Sequence, residues 1–162
     1  MFRVLSLAII VLPLLAWALP SDSTEMVHIA SDSAIYNYKT GVDQYEGHVK
    51  VDQGTTHIRA DRLVTKKNNE HKIAEAIAYG KQKPAHFWTL PKENEPQIHA
   101  RAKQIKFYPI TSNAVLEYQV NVLQGLNSFT GEKVLYNNAE QTITIPHATN
   151  GRADIVYNPQ KA

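Results

Sequence analysis

The 162-residue sequence contains no cysteine, which excludes disulfides, thiolate zinc sites and cysteine nucleophiles together. Neither sign of charge dominates: 17 Lys and Arg stand against 15 Asp and Glu, a net charge of +2. Nucleic-acid binding needs clustered positive charge, and that footprint is missing. Catalytic and nucleotide motifs are missing too: there is no Gly-x-Ser-x-Gly elbow, no His-Glu-x-x-His, no phosphate loop and no dinucleotide fingerprint. No window of 12 or more residues carries a convincing helical stripe. What remains is 43% hydrophobic and 20% charged residues, which fits neither a disordered chain nor a polytopic membrane protein. Stability must come from buried apolar surface.

The first 18 residues read as an export address. Arg3 precedes a mostly apolar run from Val4 to Leu15, and Ala16-Trp17-Ala18 supplies a small-x-small cleavage site. The run falls short of the roughly 20 residues a spanning helix needs. We expect a signal peptide over residues 1–18, cut after Ala18, a β-domain over 19–158 and a short tail over 159–162; an uncleaved N-terminal anchor is the alternative. No Cys follows the run to take a lipid.

Beyond it, alternation with period two dominates. Leu116-Glu117-Tyr118-Gln119-Val120-Asn121-Val122 sets Leu, Tyr, Val and Val on one face against Glu, Gln and Asn on the other, and Tyr45 to Val51 does likewise. Such alternation marks strands with one buried and one wet face. Lys72 to Tyr79 suits a helix but reads equally as a strand. Turn signals at Lys39-Thr40-Gly41, Gln53-Gly54, Lys67-Asn68-Asn69, Thr111-Ser112-Asn113 and Asn137-Asn138 separate these segments. The chain is therefore expected to be all-β and antiparallel.

It is also written twice. Val51-Asp52-Gln53-Gly54 returns 71 residues later as Val122-Leu123-Gln124-Gly125. The same offset pairs His28 with His99, Glu46 with Glu117, Val49 with Val120, Ile58 with Phe129, Asp61 with Glu132 and Leu63 with Val134. Inward residues stay inward, as a duplicated module requires.

Candidate chemistry is thin. Asp52, Asp61, Glu46 and Glu117 are the carboxylates a glycoside hydrolase would have to pair, but Glu46 and Glu117 alternate with buried positions and are expected to face solvent. The seven histidines are scattered over separate segments and are expected to be solvated rather than metal ligands. We expect no catalytic residue, no metal and no cofactor. Trp88, the only Trp beyond the export segment, leaves one stacking site for a second reading: a carbohydrate-binding or adhesive β-sandwich.

The segment Gly47-His48-Val49-Lys50-Val51-Asp52-Gln53-Gly54-Thr55-Thr56-His57-Ile58-Arg59-Ala60-Asp61-Arg62-Leu63 resembles the OstA-like (LptA) family. Val27-His28-Ile29-Ala30-Ser31-Asp32 looks like that family's first strand. Tyr79-Gly80 followed by Lys83-Pro84-Ala85-His86-Phe87 is similar to its mid-chain stretch, with Lys81 and Gln82 as extra residues. Tyr118 departs from the pattern, because the first repeat has Gly47 there. The resemblance implies a β-jelly roll of two facing antiparallel sheets, open along one side. It implies a periplasmic bridge that carries lipopolysaccharide from the inner-membrane export complex to the outer-membrane translocon.

An exposed acyl chain of about twelve carbons costs roughly 10 kcal/mol in water, so such a carrier needs a continuous apolar trough. Val27, Ile29, Tyr36, Val49, Val51, Ile58, Phe107, Leu116, Val120, Val122 and Phe129 are in phase to line it. Alternation alone would equally place them in the core of a closed sandwich; the resemblance assigns them to a trough. Two terminal segments, Val27-His28-Ile29-Ala30 and Ala153-Asp154-Ile155-Val156-Tyr157, lack the Pro and Lys that blunt exposed edges. They invite strand addition. By resemblance, the N-terminal edge would meet an LptC-like inner-membrane protein. The C-terminal edge would meet the next copy in a head-to-tail homo-oligomer, or the periplasmic domain of an LptD-like outer-membrane protein.

Overall fold

The computed structural model describes residues 22, 24–137, 139–140, 142–147 and 151–159. The expected export segment, its cut after Ala18 and the end of the tail lie outside the described residues. The alternating segments form twelve strands: β1 (His28–Ala30), β2 (Ser33–Asn37), β3 (Val42–Gln53), β4 (Thr56–Lys67), β5 (Ile73–Tyr79), β6 (Ala85–Thr89), β7 (Ile98–Ala102), β8 (Gln104–Tyr108), β9 (Asn113–Gln124), β10 (Asn127–Asn137), β11 (Thr142–Thr144) and β12 (Asp154–Val156). All their pairings are antiparallel. No α-helix occurs among the described residues. The ambiguous segment before Tyr79 is strand β5, with Ala76 and Ala78 packed to the core.

The 71-residue repeat is a repeat of pairing. β9 has the bounds of β3 moved by that offset. His28↔Asp52 between β1 and β3 recurs as His99↔Leu123 between β7 and β9. Ser33↔Glu46 recurs as Gln104↔Glu117. The two-residue turn closed by Gln53↔Thr56 recurs at Gln124↔Asn127, with Gly54 and Gly125 both at left-handed φ, 54° and 58°; glycine there adopts a conformation that suits strand twist in tight hairpins. Strands β1–β6 and β7–β12 are thus two copies of one six-stranded module.

Each module bends at a bulge. Between Glu46↔Arg62 and Val49↔Ala60, the residues Gly47 and His48 stand opposite Asp61 alone. Between Lys133↔Glu117 and Gly131↔Val120, Tyr118 and Gln119 stand opposite Glu132. Extra residues turn a strand sharply, so β3, β4, β9 and β10 each pass from one layer to a second. Their halves on one side of the bulge join β2, β5, β8 and β11, in the order β2-β3-β4-β5-β8-β9-β10-β11. Their other halves join β1, β6, β7 and β12, in the order β1-β3-β4-β6-β7-β9-β10-β12. This is a jelly-roll architecture of two antiparallel layers joined along a row of bulges. Hydrogen bonds from Asp32 N–H to the Gly47 carbonyl, from Gly80 N–H to Lys103, and from Lys103 N–H to Tyr118 stitch that corner.

The bulges correct one reading of the alternation. Leu116 and Val120 are both inward and fully buried, but Tyr118 between them is 53% exposed. Tyr118 and Gln119 take φ of 67° and 57°, as Gly47 and His48 do at 75° and 47°. The phase shifts inside the bulge, so Tyr118 leaves the inner face and does not narrow the interior.

Candidate functional site

The apolar interior between the layers is the candidate site. Both layers line it: Ile58, Phe87 and Ala100 from the second, Leu63, Ala78, Ile105, Phe107 and Leu116 from the first. The rings of Phe87 and Phe107 face each other across the gap with centroids 6.4 Å apart. The free space left among these side chains is about 10 Å³, room for one water at most. Around these side chains the layers leave no open trough. The two apolar walls meet and cover each other, which removes their surface from water.

Of the eleven residues expected to line a trough, Val49, Ile58, Leu116, Val120 and Val122 are buried in this core. Ile29, Val51, Phe107 and Phe129 are partly buried against it. The remaining two sit differently. Tyr36 is 54% exposed, although its partner Asp43 across the ladder is buried and shares its face; β2 is an edge strand, so the inner face is uncovered there, and Tyr36 meets Tyr45 edge-on at 5.8 Å. Val27 precedes β1 and is 49% exposed, so it belongs to no strand. Ala153 and Tyr157 likewise fall outside β12.

The sequence reading missed Phe87, Ile105 and the alanines Ala78, Ala85, Ala100 and Ala102, all buried. Period two was present in Ala85-Phe87-Thr89 and Ile98-Ala100-Ala102, but short side chains weaken the contrast that reveals it. The inner face is not apolar everywhere. At the N-terminal end Asp43 is buried and accepts a hydrogen bond from Lys67 Nζ at 2.6 Å, and burial pushes the neighbouring Tyr45 hydroxyl up. The positions 71 residues on are Ala114 and Leu116, so this polar corner occurs at one end only.

The ends are open. β1 and β2 carry the free edges at one end of the two layers, β12 and β11 those at the other. Exposed apolar side chains gather there: Met26, Val27, Ile35 and Tyr36 at the first, Ile155, Val156 and Tyr157 at the second.

The outer faces hold the charges. Glu117 accepts hydrogen bonds from Lys133 at 2.8 Å and Gln104 at 3.0 Å and pairs with Lys106 at 3.0 Å. The bonds from Lys133 and Lys106 hold its carboxyl below the usual range. Glu46 pairs with Arg62 at 2.8 Å, the same arrangement one module earlier. Asp52 binds His57 at 2.6 Å and Arg59 at 2.9 Å; burial pushes its carboxyl up, but those two bonds outweigh it and the net direction is down. Asp61 accepts the Lys81 backbone N–H at 2.5 Å. Each of the four carboxylates a hydrolase would have to pair is thus engaged by donors, Glu46 and Asp61 both by Lys81.

Three histidines are not scattered after all. His57, Trp88 and His99 are successive partners across β4, β6 and β7, with His57 stacked on Trp88 at 4.9 Å and His86 against it at 4.7 Å. His86 Nε2 lies 3.1 Å from His99 Nδ1, so one ring donates and the other accepts. Burial, then Arg101, His99 and Arg59, push His86 down to about 4. An unfolded chain would protonate His86 near 6.5, so the unfolded state binds more protons between those values. The stabilisation is therefore complete above pH 6.5 and is lost as pH falls towards 4. We expect His86→Gln to flatten this acid limb of a denaturation-versus-pH series by on the order of 1–2 kcal/mol; an unchanged limb would place the titration elsewhere. Among the described residues no cluster of three or more His, Asp or Glu could hold a metal.

Comparison with known proteins agrees with this geometry. Residues 28–142 match the family of LptA and LptD N-terminal-domain lipopolysaccharide transport proteins. The chain belongs to this family. It is 30% identical over 154 residues, 91% of the chain and 87% of the relative, to the lipopolysaccharide export system protein LptH of Pseudomonas aeruginosa. It is 29% identical over 127 residues, 78% of the chain and 67% of the relative, to the export system protein LptA of Escherichia coli K12. The crystal structure of LptH, described as the LptA-homologous periplasmic component of the transport device, superposes with a TM-score of 0.76 and 28% identity, covering 86% of this chain and all of that one.

Proposed function

We propose that this protein is a periplasmic carrier of lipopolysaccharide in which residues 19–158, released after Ala18, hold the lipid's acyl tails between the two layers. The observation that carries this reading is an apolar interior that runs through both modules and opens at both ends. The tails would part the walls rather than enter a ready channel, exchanging wall–wall contacts for wall–tail contacts of similar apolar character. Sugars and phosphates would stay in water. The carbohydrate-platform alternative is disfavoured because the faces of Trp88 are engaged by His57, His86 and the Arg59 guanidinium, 5.0 Å from its ring.

The partners follow from the internal junction. Within the chain, the first module ends in β5 and β6, and these pair with β8 and β7 of the second. The second module ends in their counterparts β11 and β12, and the first begins with β1 and β2, the counterparts of β7 and β8. A second copy placed end to end would repeat the join. Phe87↔Ala100 inside the chain would become Ile155↔Ile29 between copies, because Phe87 and Ile155 are the partners of the equivalent residues Ile58 and Phe129. Unlike edges at opposite ends make open-ended contacts. By family resemblance an LptC-like protein would take the N-terminal edge, and an LptD-like domain could replace the last copy.

The test places a photo-crosslinking residue at Phe87 or Phe107, with Gln119 and Glu132 as outer-face controls. We expect capture of lipopolysaccharide at the first pair only. Equal capture at all four would reject the interior as the binding site.

A further inference from the structure

The outer face of the second layer carries a feature the carrier role does not require. Lys50, Arg59, His86 and Arg101 are successive partners across β3, β4, β6 and β7. They form one row about 14 Å long at normal strand spacing. Lys50 and Arg59, directly opposite one another, repel and weaken the sheet there, while His86, a neutral ring at neutral pH, stands between Arg59 and Arg101. A cleft of about 480 Å³ opens over this row, and Lys83, His48 and Asp61 also line it. Arg59 is anchored by Asp52 and Trp88. Lys50, Lys83 and Arg101 form no ion pair with a carboxylate among the described residues. Among the described residues Asp61 is the one acidic side chain lining the cleft, and it already accepts the Lys81 N–H.

The duplication shows that the backbone does not demand this charge. The counterparts of Lys50 and Arg59 in the second module are Asn121 and Thr130, and the residue paired with Thr130 is Asp154. The same strands, pairing the same way, carry no basic row there. We propose that the cleft over Lys50, Arg59, His86 and Arg101 is an oxyanion site that takes phosphate groups. Arg101 offers the planar fork suited to a phosphate, and Lys50 and Lys83 add point charges on either side. The site does not depend on the carrier reading; only the identification of the phosphates with those of the lipid headgroup rests on it.

The test titrates the full chain with pyrophosphate, followed by calorimetry and amide NMR. We expect saturable binding, with shifts concentrated at Lys50, Arg59, His86 and Arg101. Lys50→Gln with Arg101→Gln should weaken it by about tenfold or more without lowering the thermal midpoint, since the repulsion is relieved. Lys39→Gln with Lys92→Gln removes the same charge from exposed turns and should leave binding unchanged. Absence of saturation, or an equal loss in both double variants, would overturn the site. A diphosphorylated lipid and its dephosphorylated form then distinguish sources in the Phe107 crosslinking assay. If the headgroup is the ligand, the Lys50/Arg101 variant loses capture of the phosphorylated lipid alone. Unchanged capture of both, with pyrophosphate binding intact, supports the site as one for free phosphate. No capture of either lipid would reject the carrier reading while leaving the pyrophosphate result to stand on its own.

Discussion

A chain carrying Ile29→Cys, mixed under oxidising conditions with one carrying Ile155→Cys, forms a disulfide-linked dimer in high yield. The sequence contains no other cysteine, so each product is unambiguous. Directly opposed residues in an antiparallel ladder have Cα atoms about 4.5–5.5 Å apart, inside the range a disulfide accepts. The register copied from the β6–β7 junction puts Ile29 opposite Ile155, and His28 opposite Val156. Ala30→Cys with Val156→Cys is two residues out of step and is expected to couple poorly. One chain carrying both Ile29→Cys and Ile155→Cys should give a ladder of linked multimers in a non-reducing gel. Indifferent coupling of in-register and out-of-register pairs would show that the internal junction is no template for assembly.

Leu116→Ala lowers the unfolding free energy by about 3–5 kcal/mol. Leu116 is fully buried, the largest side chain so enclosed among the described residues, and it stands beside the small void between the layers. It pairs with Ile105 on β8 and Val134 on β10, so truncation enlarges the void where the walls meet. Strands fixed on both sides relax little into the space, which keeps the cost near the upper end. Phe129→Ala, by contrast, touches a residue only partly buried near the open end and is expected to cost about half as much. Urea midpoints at constant m-value check both; a Leu116→Ala loss below about 1 kcal/mol would mean the layers separate freely.

Strand identity and the inward phase were legible because burial on one side of a sheet imposes alternation, and the duplication made each stretch a control for the other. Thus Val49 and Val120, or Ile58 and Phe129, could be placed together without coordinates. The corner was harder to see. A bulge inserts residues without interrupting the composition of a strand, so Tyr118 reads as inward from its neighbours and is turned outward by the backbone. Cross-strand rows such as Lys50, Arg59, His86 and Arg101 are invisible in one dimension, because they are assembled by register between segments up to 51 positions apart. The closed middle was also out of reach: alternation reports which way a side chain points, not how near the opposite wall stands.

That closed middle has a consequence for movement. If the walls touch wherever no guest parts them, a lipid advancing along the protein travels in a gap of its own making, opening the seam in front while it heals behind. The energy needed at the leading edge is released at the trailing edge, so the net gradient along the path stays shallow. Direction then has to be imposed from the ends, as a zip slider is drawn by the hand and not by the teeth.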